Sequence, residues 1–249
     1  MPATPAWPPS SLPRLFVDQA LSEAASLTLD GPPANYLANV LRLAAGAQVK
    51  LFDDRSGEWI AEIVEAGRKR VTLNVARHLR PREEVPDLWL LFAPIKRGRI
   101  DWLIEKATEL GAARLVPVIT QRTIVDRLNA DRLRAHAIEA AEQCERTALP
   151  ELAEPAKLEA LLKSWPPGRS LYFADESGGE PFAPAPGPAA ILIGPEGGFT
   201  DAERELVRAC PEAKPVSLGP RILRADTAAI AALSLWMAAA GDWDKPVAR

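Results

Sequence analysis

Apolar residues follow one spacing in the first third of the chain and another in the rest. From Arg14 to about Val75, short apolar stretches are separated by turns rich in Gly, Asp, Arg and Lys. Stretches with β-branched and aromatic residues between such turns predict strands, and several in succession predict a small β barrel. The predicted strands are Arg14–Val17, Val49–Phe52, Trp59–Val64 and Val71–Val75. One helix is predicted over residues 35–43, where apolar residues recur at helical spacing after a Pro pair.

Beyond residue 88, predicted strands and helices alternate. The predicted strands are Leu88–Ala93, Arg114–Ile119, Leu171–Ala174, Ala189–Ile193 and Lys214–Leu218. The predicted helices are Ile100–Leu110, Asn129–Thr147 (with Leu133, Ala137, Ala140 and Cys144 inward), Leu158–Leu162, Asp201–Ala209 and Thr227–Ala240. This alternation predicts an α/β domain with a largely parallel sheet. The last helix is apolar on most of its faces, which indicates either a core helix or a subunit interface.

Composition sets the expected domain boundaries. Residues 1–13 are rich in Pro and have neither a basic nor an apolar segment, so they predict a loose tail rather than a signal peptide. Residues 81–87, PREEVPD, predict a linker between a barrel over 14–80 and a second domain over 88–249. The longest apolar run is too short to span a bilayer, so we expect a soluble, cytoplasmic protein without membrane association.

Charge and cysteine content narrow the classes of partner. Residues 1–82 carry ten Lys and Arg against eight Asp and Glu, whereas the remainder carries twenty against twenty-five. A basic run comprises Arg68, Lys69, Arg70, Arg77, Arg80 and Arg82. Such a run fits attraction of phosphate and equally an ordinary solvated strand face. Two cysteines and two histidines in unrelated contexts predict neither a disulfide framework nor a metal site.

Three strand ends open into glycine-containing loops. In ILIGPEGGFTDAE, residues 191–203, a strand runs into Gly194–Gly198, and Thr200 with Glu203 forms a capping box for the next helix. Such a loop lies at the carboxyl end of a strand, where α/β sheets bind ligands, although a plain turn has the same spacing. LYFADESGGE (171–180) and VSLGPRILRADTAAI (216–230) follow the same style. Together they predict one composite pocket.

The third loop combines an apolar wall with a cation. Leu218, Ile222 and Leu223 are suited to wall a slot for a flat ring, and Arg224 stands beside it. The alternative for Arg224 is a structural ion pair with Asp226 or Glu196.

Five blocks in order resemble the RsmE family of SPOUT methyltransferases. They are NVLRL (39–43), RGRIDWLIEKATELGA (97–112), IEAAEQCER (138–146), LIGPEGG (192–198) and LGPRILR followed by Asp-Thr-Ala (218–228). The resemblance extends from about Arg14 to Gly241. It implies an N-terminal PUA-like barrel that binds RNA, and a SPOUT domain with helices on both faces of a parallel sheet and a C-terminal trefoil knot. It also implies a homodimer with active sites at the subunit interface.

The resemblance further implies the reaction and the cofactor site. The reaction is methylation of N3 of a decoding-region uridine in 16S ribosomal RNA, with S-adenosylmethionine as cofactor. The implied cofactor-binding residues lie in three loops and are Ala174, Asp175, Glu176, Gly194, Pro195, Gly197, Gly198, Leu218, Gly219, Ile222 and Leu223. Many relatives have Thr-Glu after the arginine, where this chain has Ala225 and Asp226, so the carboxylate here sits on a shorter arm.

Arg224 and Glu196 are the predicted catalytic residues. Arg224 stays protonated and is expected to stabilise the developing uridine anion. Glu196 is expected to act as base or to orient the target, or else to hold its loop. The predicted RNA contacts are Arg14, Arg42, Lys96, Arg97 and Arg122.

Two rival functions and two further questions stay open at this point. One rival is 2′-O-ribose methylation by a SPOUT enzyme, and the other is a non-catalytic RNA-binding or ribosome-assembly protein. The identity of the base is open, as is the choice between naked RNA and an assembled subunit as substrate.

Overall fold

Two units make up the part of the chain that the structure describes. The computed structural model describes residues 12–125 and 127–245, so most of the predicted tail lies outside the described residues. The N-terminal unit contains residues up to Glu84 together with Ala141–Ala148, and the C-terminal unit contains Val85–Ala140 and the residues from Leu149 onward. The segment Ala141–Ala148 falls within the range predicted for the second domain, and the structure groups it with the first.

A five-stranded sheet forms the N-terminal unit. Its strands are β1 (Arg14–Phe16), β2 (Ser26–Asp30), β3 (Gln48–Phe52), β4 (Glu58–Ala66) and β5 (Arg70–Arg80), in the order β1-β3-β4-β5-β2. Only β1 and β3 pair in parallel. Three register shifts interrupt the ladder between β4 and β5. Such irregularities bend and twist a sheet, which lets the two long strands curl around an aliphatic core.

Two features of this unit differ from the predictions. The strand β2 was missed because its five residues, SLTLD, offer only two apolar positions, Leu27 and Leu29, which are both buried. The predicted helix begins earlier, as α1 (Gly31–Asn35), and continues as a π-helical turn over Tyr36–Val40. Pro lies in the first turn of α1, where its fixed φ and missing N–H are tolerated, so the proline pair starts the helix instead of preceding it.

A buried ion network fastens β1 within this unit. The guanidinium of Arg14 donates to the Glu58 carboxylate and to the carbonyls of Ala141 and Arg146, and Arg80 donates to the second Glu58 oxygen at 3.0 Å. The Arg14 side chain is 5% exposed. Its predicted role as an RNA contact is therefore wrong, because its donors are directed into the interior.

A parallel sheet organises the C-terminal unit. Its strands are β6 (Leu88–Phe92), β7 (Arg114–Ile119), β8 (Glu151–Leu152), β9 (Ala156–Lys157), β10 (Ser170–Ala174), β11 (Glu180–Pro181), β12 (Ala189–Ile193) and β13 (Ala213–Ser217). The order is β11-β13-β10-β12-β6-β7-β8, with β9 also on β7, and every pair is parallel. The helices are α2 (Arg99–Glu109), α3 (Ala130–Cys144), α4 (Leu158–Lys163), α5 (Asp201–Arg208) and α6 (Ala225–Ala240).

Helices cover both faces of this sheet, as predicted. Along β6, Leu88, Leu90 and Phe92 join the core formed with α2 and α6, whereas Leu91 joins the core formed with α4 and α5. Alternate residues of a strand point to opposite faces, so a fully apolar strand is what a doubly covered sheet requires.

Two packing expectations for the helices need correction. Cys144 is exposed rather than inward, and the buried position in that turn of α3 is Ala141. The helix α6 buries one face, including Leu233, Trp236 and Met237, but leaves Leu235 46% exposed. Among the described residues, no helix combines the length and apolar character needed to cross a membrane.

The Glu58 carboxylate should govern the acid stability of the N-terminal unit. Burial alone would raise the pKa of Glu58, but hydrogen bonds and charge from Arg14 and Arg80 outweigh it, so its pKa lies below the ordinary value. The stabilisation is therefore present above the unfolded-state pKa of about 4.3 and is lost as pH falls through the lower folded-state pKa.

We expect Glu58→Gln to cost about 3–5 kcal/mol at neutral pH, because it removes the carboxylate that pairs with the buried Arg14. Amide hydrogen exchange of β4 at pH 7 and pH 3 measures this, and the difference between the variant and the wild type should be smaller at the lower pH. Glu62→Gln, at an exposed site on the same strand, serves as control and should cost no more than about 0.5 kcal/mol. Equal effects of the two substitutions would refute the assignment.

Candidate functional site

Four loops of the C-terminal unit meet at one edge of the sheet and enclose a cleft of about 630 Å³. They follow β6, β10, β12 and β13, which lie side by side in the order β13-β10-β12-β6. Because all four strands are parallel, their carboxyl ends open at the same edge, where ligands bind in α/β sheets. The structure thus brings together the three loops singled out in the sequence and adds the loop after β6.

Most of the predicted cofactor residues lie along this cleft. Gly197 does not line it, and the ten that do are Ala174, Asp175, Glu176, Gly194, Pro195, Gly198, Leu218, Gly219, Ile222 and Leu223. Glu196, Arg224 and Lys96 also line the cleft. Lys96, which is predicted to contact RNA, is exposed on the wall of this cleft.

The loop between β12 and α5 is closely packed. A Cβ at Gly194 would lie 2.6 Å from the Phe199 ring, and one at Gly198 would lie 2.0 Å from a Glu176 carboxylate oxygen. Gly198 also has a φ of +68°. Gly194 therefore has no room for a side chain, and the positive φ of Gly198 favours glycine, so both positions keep bare backbone at the cleft.

Glu203 holds the loop between β12 and α5 through hydrogen bonds. The predicted capping box with Thr200 is present, and Glu203 also accepts a hydrogen bond from the backbone N–H of Gln121 at 2.8 Å. The neighbouring Arg122, a predicted RNA contact, donates to the carbonyl of Gly197 at 2.7 Å. Two residues that follow β7 thus hold the glycine loop in place.

The loop after β10 is held by arginines of α5. Asp175 is buried and accepts from Ser177 and Arg208, while Arg204 approaches both Asp175 (3.3 Å) and Glu176 (2.6 Å). Burial alone would raise the pKa of Asp175, but the hydrogen bonds from Ser177 and Arg208 outweigh it and hold the pKa below its usual range. The Asp175 carboxylate is therefore occupied in fixing the loop. Neither arginine was predicted from the sequence, although their i,i+4 spacing places them on one face of α5.

The loop between β13 and α6 carries two exposed cations, Arg221 and Arg224. Arg224 is exposed at the N-cap of α6, and Glu196 is exposed on the opposite loop. Asp226 pairs with Arg99 at 2.9 Å, so the alternative in which Asp226 neutralises Arg224 is wrong. Within residues 12–125 and 127–245, neither Arg224 nor Glu196 forms an ion pair. Leu218 and Leu223 are partly buried, whereas Ile222 is 89% exposed.

The remaining predicted RNA contacts lie on the surface of their own units. Arg42 is exposed in the N-terminal unit, with a φ of +54°. Arg97 is exposed and lines a neighbouring cavity of about 270 Å³. In the basic run, Arg70, Arg80 and Arg82 pair with Asp30, Glu58 and Asp54, so half of that run serves ion pairs within the unit.

The described residues contain no group of three or more His, Cys, Asp or Glu side chains arranged to hold a metal ion.

Each of the two units contains a region that matches a known family model. Residues 82–237 match the family model described as an RNA methyltransferase domain, and residues 29–76 match the RNA methyltransferase PUA domain. The ribosomal RNA small subunit methyltransferase E of Rickettsia conorii is 31% identical over 89% of this chain and 93% of its own length. The Bacillus subtilis protein of the same name is 29% identical over 89% and 94%.

Two solved structures share the whole fold. The putative methyltransferase Lpg2936 from Legionella pneumophila, in complex with S-adenosylmethionine, has a TM-score of 0.85 at 31% identity, covering 93% of this chain and 99% of its own. The ribosomal RNA small subunit methyltransferase E from Neisseria gonorrhoeae, bound to S-adenosylmethionine, has a TM-score of 0.85 at 25% identity with the same coverage.

Substitution of Gly198 should disturb two loops together. We expect Gly198→Ala to push the Glu176 carboxylate away from Arg204 and to strain the backbone, with a cost above 1 kcal/mol, on the order of the known penalty for Ala at positive φ. Gly168→Ala is the control, because Gly168 has a φ of +80° and open space around it. Urea denaturation compares the two, and a cost for Gly198→Ala no larger than for Gly168→Ala would show that crowding against Glu176 does not matter.

Proposed function

The chain belongs to the ribosomal RNA small subunit methyltransferase E (RsmE) family of RNA methyltransferases, and from this we propose that it transfers a methyl group from S-adenosylmethionine to N3 of a decoding-region uridine in 16S ribosomal RNA. The observation that carries the proposal is the cleft at the sheet edge, where bare glycine backbone and an exposed arginine face the same space.

The cleft residues fit the proposed cofactor. Gly194 has no room for a Cβ beside the Phe199 ring, and Gly198 and Gly219 adopt φ values of +68° and +107°. Glycine at such positions lets a ligand approach the backbone closely, while Leu218 and Leu223 provide apolar surface for a ring. In this assignment the loops Ala174–Glu176, Gly194–Gly198 and Leu218–Leu223 hold the cofactor, which supplies an already activated methyl group on sulfur.

Arg224 stabilises the target in the proposed mechanism. The N3–H of uridine is a weak acid, and a cation beside the developing anion lowers the pKa of that imide by about 1–3 units. Arg224 is suited to this role because it is exposed in the cleft and no acidic partner in the described part of the chain neutralises it. Arg224 cannot accept the proton, since a guanidinium stays protonated.

Glu196 is the proposed proton acceptor or orienting group. It lies across the cleft on the β12 loop and is exposed without an ion pair among the described residues. A positioned base contributes about 10²–10⁴-fold. Alignment of two bound substrates supplies roughly 7–11 kcal/mol, which is the larger share.

The wider context of the reaction is part of the same proposal. Exposed apolar side chains on α2 and α6, Trp102 and Leu235, support a homodimer built through these helices. The last strand, β13, lies inside the sheet between β10 and β11, which supports a trefoil knot at the C-terminal end. We place the protein in the cytoplasm, acting in ribosome biogenesis on an assembled small subunit.

Methylation of purified small ribosomal subunits tests the proposal directly. Incubation with S-adenosylmethionine and nucleoside digestion should yield 3-methyluridine by mass spectrometry. A 2′-O-methylated nucleoside would instead favour a ribose methyltransferase, and no product together with no binding of S-adenosylhomocysteine would favour a non-catalytic RNA-binding protein.

Removal of Arg224 should separate catalysis from cofactor binding. We expect Arg224→Ala to lower kcat by about 10²–10³-fold, the usual loss when a group stabilising a developing anion is removed. Affinity for S-adenosylhomocysteine, measured by calorimetry, should stay near that of the wild type, and Arg224→Lys should retain part of the rate. Loss of cofactor affinity without a separate catalytic defect would defeat this role.

Arg97 should contribute to RNA affinity through phosphate. Loss of one phosphate contact reduces the slope of log K against log salt by roughly 0.7–0.9. We expect this change for Arg97→Ala, measured by filter binding over a salt series. Arg70→Ala is the control, because Arg70 pairs with Asp30 at 3.1 Å. An unchanged slope for Arg97→Ala would remove Arg97 from the interface.

A further inference from the structure

The ion pair between Arg99 and Asp226 joins the two helices that begin at the cleft. Arg99 is the first residue of α2, and Asp226 lies in the first turn of α6, 127 residues later. The guanidinium Nη1 lies 2.9 Å from Asp226 Oδ2, and the Asp226 side chain is 13% exposed. We propose that this pair is a positioning element, which sets Arg224 and Lys96 at fixed places on facing sides of the cleft.

Each partner is connected by short contacts to one of these cations. Asp226 follows Arg224 by two residues, and the Arg224 carbonyl accepts the first helical hydrogen bond of α6, from Ala228 at 2.8 Å. Arg99 follows Lys96 by three residues, and the Lys96 carbonyl accepts from the N–H groups of Arg99 and Ile100 at 3.2 Å. The pair therefore fixes the start of both helices, and each start places one cation.

Both oxygens of the Asp226 carboxylate are engaged. Oδ1 accepts from the backbone N–H of Thr227 at 3.0 Å, while Oδ2 accepts from Arg99. The carboxylate thus stabilises the N-terminus of α6, where a negative charge is favoured, and holds α2 at the same time. It also gives Arg99 an acidic partner, whereas Arg224 forms no ion pair among the described residues.

This arrangement makes sense of the departure at position 226. The carboxylate of Asp226 sits on a short arm, and it nevertheless lies within hydrogen-bond distance of Arg99. The function that we assign to the position is the pairing of its carboxylate with Arg99, and that pairing survives the shorter arm.

The inference rests on the proposed function, and a three-part experiment separates the two. Arg99→Gln, Asp226→Asn, the double variant and Asp226→Glu are compared with wild type in kcat, in KM for S-adenosylmethionine, and in hydrogen exchange of the amides over residues 224–229. We expect each single charge-removing substitution to lower kcat by about tenfold, with KM changed less than about threefold, because contacting residues couple at this magnitude.

The amides of residues 224–229 should exchange about tenfold faster in Arg99→Gln and in Asp226→Asn than in wild type. The double variant should be no worse than either single one, since the two residues act as a unit. Asp226→Glu should stay within about threefold of wild type. Arg114→Gln is the control, because it removes a comparable ion pair with Glu151 (3.2 Å) at the start of β7, away from the cleft, and should leave kcat unchanged.

Each remaining outcome overturns the inference. It fails if Arg99→Gln keeps wild-type kcat, if kcat, cofactor affinity and thermal stability fall in proportion, or if the singles and double are additive. If wild-type protein transfers no methyl group, the proposed function fails, and amide exchange alone decides: unchanged exchange over residues 224–229 in Arg99→Gln refutes the positioning role, and faster exchange supports it.

Discussion

Parallel pairing of every strand in the C-terminal unit is the constraint on which the site depends. It obliges each loop that follows a strand to open at one edge of the sheet. With β13, β10, β12 and β6 adjacent, four loops far apart in sequence become neighbours there. Antiparallel pairing of any one of these strands would send its loop to the opposite edge. The loop residues therefore form one site only because the topology brings the loops to the same edge.

Charged side chains hold two of the four cleft loops, those after β12 and β10, in fixed positions. Glu203 joins the β12 loop to the residues after β7, and Arg204 and Arg208 hold the loop after β10. Glu203 is buried and Arg204 is half-buried, and both have hydrogen-bond or ion-pair partners, as buried charges require. Arg208 is exposed and pairs with the buried Asp175. Arg224 and Glu196, to which we assign chemistry, are exposed at the cleft and form no ion pair among the described residues.

The sequence predicted the fold class and most of the C-terminal elements because their patterns are local. Apolar runs such as Ala189–Ile193 define a doubly covered strand, and the Thr200–Glu203 capping box marks the start of α5. The glycine loops pointed to the cleft for the same reason. The prediction that these loops form one site rested on their common pattern, a strand that ends in a glycine-containing loop, and on the family resemblance. No spacing between the loops indicated it.

Properties that depend on distant partners escaped prediction. Exposed and buried arginines look alike in a sequence, so Arg14 was assigned to RNA although its partners Glu58, Ala141 and Arg146 lie 44 to 132 residues away. The strand β2 is short and depends on pairing with β5, which no local pattern shows. The pairing of Asp226 with Arg99 likewise required the two helices to be placed side by side.

The helix α5 has a consequence for redesign of this enzyme class. It begins directly after one wall of the cleft, and its arginines clasp another, so the two walls share a single rigid support. A cleft enlarged to accept bulkier sulfonium donors cannot be obtained by trimming one wall alone, since relaxing Glu176 or Gly198 shifts the other. Variants for such donors would have to vary the helix and both walls as one block.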